Sequence, residues 1–373
     1  MDSIIDGLAF FVVAKNKPGG AERRFFYLCE HYFNEGDSPY LITNSELYNN
    51  LPTENFLDSN VFKMKLNGHK LLAPFRYIFN SLFYIHKNNI KHVHFCVNPS
   101  FYSFFMVAIL RLIGCTTSVS IVNSIIRTDS DLSPIEKFVW KKTIKSVDAI
   151  DMLSPSIHTN MCSVFGPAVF HEKKISISLC SFSKGADFIR SAVRNDKNAK
   201  SKVYDFIFAS RLIEGKGLDL LLDALELCDT EGHKFTVAIC GSGPLANKVK
   251  SIKLNHIKLI YLNYVDEMQN VLFSSKVALS LQTHENYPSQ FLLEALAANC
   301  DIISTDVGDT RLLLNENIST LIESDALSLK NSMIGIDYDP SLERKLAVDR
   351  VLDQHSVKTF ANYIEALLTE TRK

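Results

Sequence analysis

At 373 residues, with 46% hydrophobic and 22% charged side chains and a formal net charge of -1, the chain is too long for one hydrophobic core and points to two domains. That composition excludes an intrinsically disordered protein, which would be poor in apolar residues and rich in charge. The eight cysteines, at 29, 96, 115, 162, 180, 228, 240 and 300, form neither a CxxC pair nor a zinc knuckle, so reduced thiols are expected. The opening MDSIIDGLAFFVVAKN lacks the basic n-region and small-residue cleavage site of a signal peptide. No stretch reaches the roughly eighteen apolar residues of a bilayer span, since Phe101 to Ile113 is interrupted by Arg111. A cytoplasmic protein with no nucleic-acid partner is expected.

Along the chain, apolar β-branched runs of strand length alternate with longer segments of helical period, the pattern of βαβ units and parallel sheets. In the first half the expected strands are Leu8 to Ala14, His92 to Cys96, Thr117 to Val122, Ala149 to Leu153 and Ile175 to Leu179. The second half gives Asp205 to Ala209, Phe235 to Cys240, Lys258 to Leu262, Val277 to Leu281, Asp301 to Thr305 and Ser319 to Ile322. Helical patterns lie between them, among them Gly217 to Leu227, Pro288 to Ala298 and Lys358 to Leu368. Residues 181–202 are polar, charged and turn-rich, which places the boundary there. The expected domains are 1–183, completed by the C-terminal helix 357–373, and 184–356. Both read as α/β, Rossmann-like, doubly wound parallel sheets, expected to face each other across a central cleft. Ligands of such sheets sit at the carboxyl ends of the strands, where helix N-termini offer free N–H groups to phosphates.

Charge is unevenly spread. Between Asp58 and Asp129 no acid occurs, while Lys63, Lys65, Lys70, Arg76, Lys87, Lys91, Arg111 and Arg127 do, with Phe75, Tyr77, Phe79, Phe83 and Tyr84 interleaved. The segment 60–127 is therefore a candidate surface for anionic lipid head groups, giving peripheral contact with the cytoplasmic face of an inner membrane. An ordinary helix with a solvated basic face is the alternative.

The sharpest local feature is DFIFASRLIEGKGLDLLLDAL (205–225), a strand running into a turn that bears Arg211 and Lys216, then a helix opening near Gly217. Two cations at a strand end beside a helix N-terminus suit a diphosphate, whose charge grows as a glycosidic bond breaks. Spacing alone also allows plain surface charge. The second feature, THENYPSQFLLEALAANCDIISTDVG (283–308), is a loop entering an amphipathic helix that bears Glu294.

Together these segments resemble the C-terminal signature of the family-four retaining glycosyltransferases of the GT-B fold, the glycosyl transferases group 1, of the bacterial surface-polysaccharide type. NKPGGAERRF (16–25) is similar to that family's N-terminal glycine loop, in which Gly19 and Gly20 would let backbone approach a phosphate. KSVDAIDMLSPS (145–156) likewise resembles the strand and Ser-bearing turn near the end of the family's first domain. The resemblance implies that Arg211 and Lys216 bind the donor diphosphate and that Glu294 bonds the ribose hydroxyls. It also implies an earlier glutamate near the donor sugar, with the loop Asn286, Tyr287, Pro288, Ser289 and Gln290 turning backbone N–H groups to sugar hydroxyls. The family spaces its two glutamates by seven residues, whereas Glu285 and Glu294 have eight between them. Either the loop carries one more residue and Glu285 keeps the role, or Asn286 meets the sugar. A family histidine is replaced by Asn123, and His94 is the other candidate for acceptor or sugar contact.

GSGPLA (241–246) satisfies a dinucleotide fingerprint but lies outside the first βαβ unit and has Asn263 where an acid belongs. The resemblance places Gly241 and Gly243 near the nucleotide base instead. Two DxD triplets, Asp129 to Asp131 and Asp337 to Asp339, have no third ligand around them, and HEKK (171–174) lacks a second histidine. Neither metal nor cofactor is expected beyond the nucleotide-sugar co-substrate. The function implied is sugar transfer, with retention, from a nucleoside-diphosphate sugar to a hydroxyl of a lipid-linked glycan acceptor in O-antigen, capsule or exopolysaccharide assembly. The alternatives are a non-catalytic GT-B scaffold for another transferase and a GT-B sugar-nucleotide epimerase.

Overall fold

The computed structural model describes residues 5–13, 20–49, 60–64, 73–96, 98–122, 131–171, 173–194, 201–285, 287, 289–338 and 341–371. The chain divides into two compact units, Met1–Ser181 with Val357–Lys373, and Phe182–Ser356.

The first unit runs β1 (Leu8–Val12), α1 (Gly20–Glu35), β2 (Tyr40–Asn44), α2 (Ser45–Tyr48), β3 (Val61–Met64), α3 (Ala73–Lys87), β4 (His92–Phe95) and α4 (Phe101–Leu112). It continues through β5 (Thr116–Ile121), α5 (Pro134–Ser146), β6 (Ala149–Met152), α6 (Pro155–Phe165) and β7 (Lys174–Ile177). Among the described residues its sheet has seven strands in the order β3-β2-β1-β4-β5-β6-β7, each pair parallel. β1 (LAFFV) is buried along its whole length, as expected of a central strand covered on both faces. Ser100 and Ser133 start α4 and α5 through capping boxes.

The second unit holds α7 (Lys184–Arg194), β8 (Tyr204–Ala209), α8 (Leu218–Thr230), β9 (Thr236–Cys240), α9 (Ala246–Ser251), β10 (Lys258–Asn263), α10 (Met268–Phe273) and β11 (Ser275–Ser280). After these come α11 (Gln290–Ala297), β12 (Asp301–Thr305), β13 (Thr320–Ile322), α12 (Ala326–Gly335) and α13 (Leu342–Gln354). Its strands lie in the order β10-β9-β8-β11-β12-β13, again all parallel. The last helix, α14 (Val357–Thr371), packs on α1 in the first unit. There Tyr32 donates to the Ala361 carbonyl at 3.2 Å and the Tyr363 hydroxyl donates to Asp151 at 2.7 Å.

Both sheets are therefore doubly wound, with the strand order reversing between β1 and β4 and between β8 and β11. These reversals open the crevices in which such sheets bind ligands. β2 and β3 were not among the expected strands. β3 (VFKM) is a four-residue edge strand that carries a lysine.

Candidate functional site

The second unit gathers most of the expected site residues at its switch point. Arg211 and Lys216 lie in the turn that follows β8, and Glu285 lies in the loop that follows the neighbouring β11. Topology thus joins two motifs that are far apart in the chain.

The 210–217 turn is held from both sides. On one flank Leu212 donates its N–H to the Ser242 carbonyl at 2.9 Å and accepts from the Leu245 N–H at 3.0 Å. Gly241 and Gly243 face this turn so closely that a Cβ on either would collide with the carbonyls of Ser210 and Leu212 respectively. The two glycines therefore allow loops to touch, and the Tyr261 hydroxyl fixes the Gly241 carbonyl at 3.0 Å. On the other flank the Thr283 N–H donates to the Gly215 carbonyl at 3.1 Å, and a Cβ on Gly217 would meet the Leu281 carbonyl. Gly217 also has φ 85° as the N-cap of α8, a left-handed conformation that glycine adopts without strain.

Within this frame the Lys216 ammonium donates to Gln282 Oε1 at 3.4 Å, and Gln282 is fixed by its carbonyl, which accepts from Thr305 Oγ1 at 2.6 Å. Arg211 is exposed, and its guanidinium has no hydrogen bond or ion pair among the described residues. Helix α11 opens at Ser289, whose side chain makes no cap bond, and the Gln290 amide donates to the Phe182 carbonyl at 3.5 Å. A helix N-terminus next to two cations is an environment suited to anions.

The carboxylates divide the work. Glu285 accepts from the Tyr287 N–H at 2.7 Å with one oxygen, within its own loop, and from the Asp309 N–H with the other, which ties the loop after β11 to the loop after β12. Glu294, on α11, accepts at 2.5 Å from the hydroxyl of Ser183, which also receives the Ala186 N–H at 3.4 Å at the start of α7. A Cβ on Gly185 would press on the same Glu294 oxygen, at 2.7 Å. Ser183, Gln282 and Gly185 were not among the expected residues. Ser183 fell in the segment read as a linker, although a serine ahead of a helical run is an N-cap signal.

Two of the expected residues have buried side chains. The Tyr287 ring is buried in the core of the second unit, edge-on to His355 at 6.2 Å between centroids, while its backbone N–H donates to Glu285. His94 is fully buried on β4 in the first unit, with Nδ1 2.7 Å from Ser118 Oγ and Nε2 2.9 Å from Ser120 Oγ. Burial, reinforced by the Arg24 charge, pushes its pKa down to about 3, so it is a neutral histidine of the core. It belongs to a buried polar chain continuing through Ser120 to Asp151 at 2.6 Å. Gly20 is the first residue of α1. Gly19, Asn123, Asn286 and Pro288 lie outside the described residues, as do Asp129 and Asp339 of the acidic triplets.

Residues 190–337 match the family model described as Glycosyl transferases group 1. The architecture is similar to that of solved structures over nearly the whole chain. A glycosyltransferase from Rickettsia africae ESF-5 has a TM-score of 0.74 at 16% identity, covering 98% of both chains. The Anabaena protein Alr3699/HepE in complex with UDP has a TM-score of 0.70 at 14% identity, covering 97% of this chain and 99% of that one. The lipopolysaccharide outer core galactosyltransferase WaaB, in its apo form, has a TM-score of 0.64 at 14% identity over 97% and 99%. Comparison with curated protein sequences gives no match. The fold is thus the α/β GT-B fold. Its second unit carries the match to the group 1 glycosyltransferase model, which makes the chain a transferase. Among the described residues no helix is long and apolar enough to cross a membrane.

Proposed function

We propose that the chain is a retaining, metal-independent glycosyltransferase that moves a sugar from a nucleoside-diphosphate sugar to a hydroxyl of a lipid-linked glycan in bacterial surface polysaccharide assembly, at the cytoplasmic side of the membrane. The observation that carries this reading is the cation pair Arg211 and Lys216, set in a turn pinned by neighbouring loops at the switch point. As the bond from the anomeric carbon to the diphosphate breaks, charge builds on the leaving oxygen, and fixed cations there stabilise the transition state more than the ground state. They also supply the countercharge that a metal would otherwise bring. The acceptor oxygen then bonds to the anomeric carbon on the same face, and its proton passes to a phosphate oxygen of the departing diphosphate. Glu294 holds the ribose, while Glu285 shapes the 285–290 loop that meets the donor sugar. UDP in the Anabaena relative and the lipopolysaccharide substrate class in the name of the galactosyltransferase support the donor and the setting.

Arg211→Ala and Lys216→Ala should each lower transfer on the order of a hundredfold. Unchanged turnover in both variants removes the mechanism. A second reading, a non-catalytic scaffold, draws on the Glu285 carboxylate being taken up by backbone N–H groups. Calorimetry with uridine, guanosine and adenosine diphosphates separates the two, because a scaffold binds none of them.

A further inference from the structure

We infer that the outward face of α3, α4 and α5 in the first unit docks on an anionic lipid bilayer. On α3, Phe75, Phe79 and Phe83 recur every fourth residue and form one exposed stripe, while Tyr77, Ile78 and Ile85 fill the core on the other side. The helix is thus apolar both toward the protein and away from it. Phe75 touches Phe101 of α4 edge-on at 6.0 Å, and Phe104 of α4 touches Phe138 of α5 at 6.0 Å. The apolar surface is therefore continuous over three helices. Phe79 is 70% exposed, Leu112 86% and Ile135 76%. Contiguous apolar patches of more than a few hundred Å² are rare on water-facing surfaces and mark a binding face.

Charge selects the occupant. α3 carries Arg76 and Lys87, α4 carries Arg111, and α5 carries Lys137, Lys141, Lys142 and Lys145. The one acid of these three helices is Glu136, bonded to Ser133 at the start of α5. Lys142 lies 5.7 Å from the Phe138 ring centre, so cation and aromatic share one place. A second copy of the chain would set this positive face against itself. An anionic bilayer supplies both the apolar interior for the rings and the negative head groups for the lysines. The basic aromatic segment expected from composition is thus refined. α3 and α4 belong to it, α5 extends it, and Lys63 is turned to the Tyr48 ring at 4.3 Å. Docking here does not depend on the sugar-transfer reading, although it would bring the enzyme to a lipid-linked acceptor.

The test is flotation of the full chain with vesicles of phosphatidylcholine alone and of phosphatidylcholine with phosphatidylglycerol. Binding is expected to the anionic vesicles and to weaken with salt. Phe79→Ser with Phe138→Ser should lower partitioning by on the order of tenfold or more. Lys141→Glu with Lys142→Glu should remove the preference for phosphatidylglycerol. All four side chains are exposed, so thermal midpoints should stay at the native value and exclude misfolding as the cause. No binding to anionic vesicles overturns the inference, as does binding that both double variants retain. A concentration-dependent dimer that the phenylalanine variant dissociates overturns it too, by giving the face to a second copy.

Discussion

Replacing Ser183 by alanine separates the structural from the ligand-directed part of the Glu294 site. The hydroxyl serves two partners, donating to Glu294 at 2.5 Å and accepting from Ala186 N–H at 3.4 Å, and Ser183 is 4% exposed, so water cannot stand in for it. Losing the cap of α7 costs about 1 kcal/mol. Losing a hydrogen bond to a charged group costs about 1.5–3 kcal/mol. The cap bond is long, so the carboxylate bond should dominate, and a denaturant titration should show roughly 2–4 kcal/mol less stability. Donor binding gives the sharper readout. If Ser183 acts by fixing the Glu294 rotamer, UDP affinity measured by calorimetry should fall in Ser183→Ala, fall further in Glu294→Gln, and fall no further in the double variant. The coupling expected for such contacting residues is about 0.5–3 kcal/mol. Strictly additive losses of UDP affinity would refute the positioning role, and so would a Ser183→Ala protein with unaltered affinity.

Three further outcomes follow from the same geometry. Gly217→Ala adds a left-handed alanine, worth about 1–2 kcal/mol of strain, and a collision with the Leu281 carbonyl at the end of β11, so its unfolding midpoint should drop and its UDP affinity with it; a native-like midpoint would show that the turn yields freely. Because the His94 pKa is lowered to about 3 in the fold and is about 6.5 when unfolded, the unfolded chain binds the extra proton first, and stability should fall as pH drops below about 6.5, by at most ~1.4 kcal/mol per unit. A His94→Asn variant should have a shallower acid limb, as followed by denaturant midpoints between neutral and mildly acidic pH. Glu285→Gln exchanges one accepting oxygen for an amide donor opposite the Tyr287 or Asp309 N–H, so the donor KM should rise with kcat largely kept; a collapse of kcat at unchanged KM would place this carboxylate on the sugar instead.

What could be read from the sequence was what is local or periodic. Strands such as FIFA in β8 and VAIC in β9 are continuous apolar runs because parallel strands are covered on both faces, and such runs survive without any tertiary knowledge. β2 and β3 escaped although β4, β6 and β7 are no longer, so length alone does not account for them; β3 is an edge strand that carries a lysine. Arg211 and Lys216 stood out because both flank one strand-to-helix turn. By contrast, Ser183 reaches Glu294 across 111 residues and Glu285 reaches the Asp309 N–H across 24, and no spacing rule encodes such partners. The surroundings of His94 were hidden for the same reason. Its two serine partners sit on the adjacent strand β5, at alternate positions that turn to the same face as the imidazole, and only strand pairing brings them together.

Several arginines of the second unit other than Arg211 already hold carboxylates. Arg190 is held by Asp349 and Asp353, Arg311 by Asp306, and Arg344 by Asp301 in a buried pair. Each would have to give up a carboxylate before it could bind an incoming phosphate, and breaking a buried pair leaves an uncompensated charge. Arg211 has no such prior claim among the described residues, and Glu214 in the same turn is exposed and forms no ion pair with either cation. The Lys216 ammonium donates to a neutral amide, Gln282, which helps to orient it. The loops packed on both flanks hold the backbone that carries these cations, so little reorganisation is needed when negative charge arrives. Under the proposed function, a preorganised positive field of this kind would act most strongly where charge is growing, which would favour a departing diphosphate over one already bound at rest.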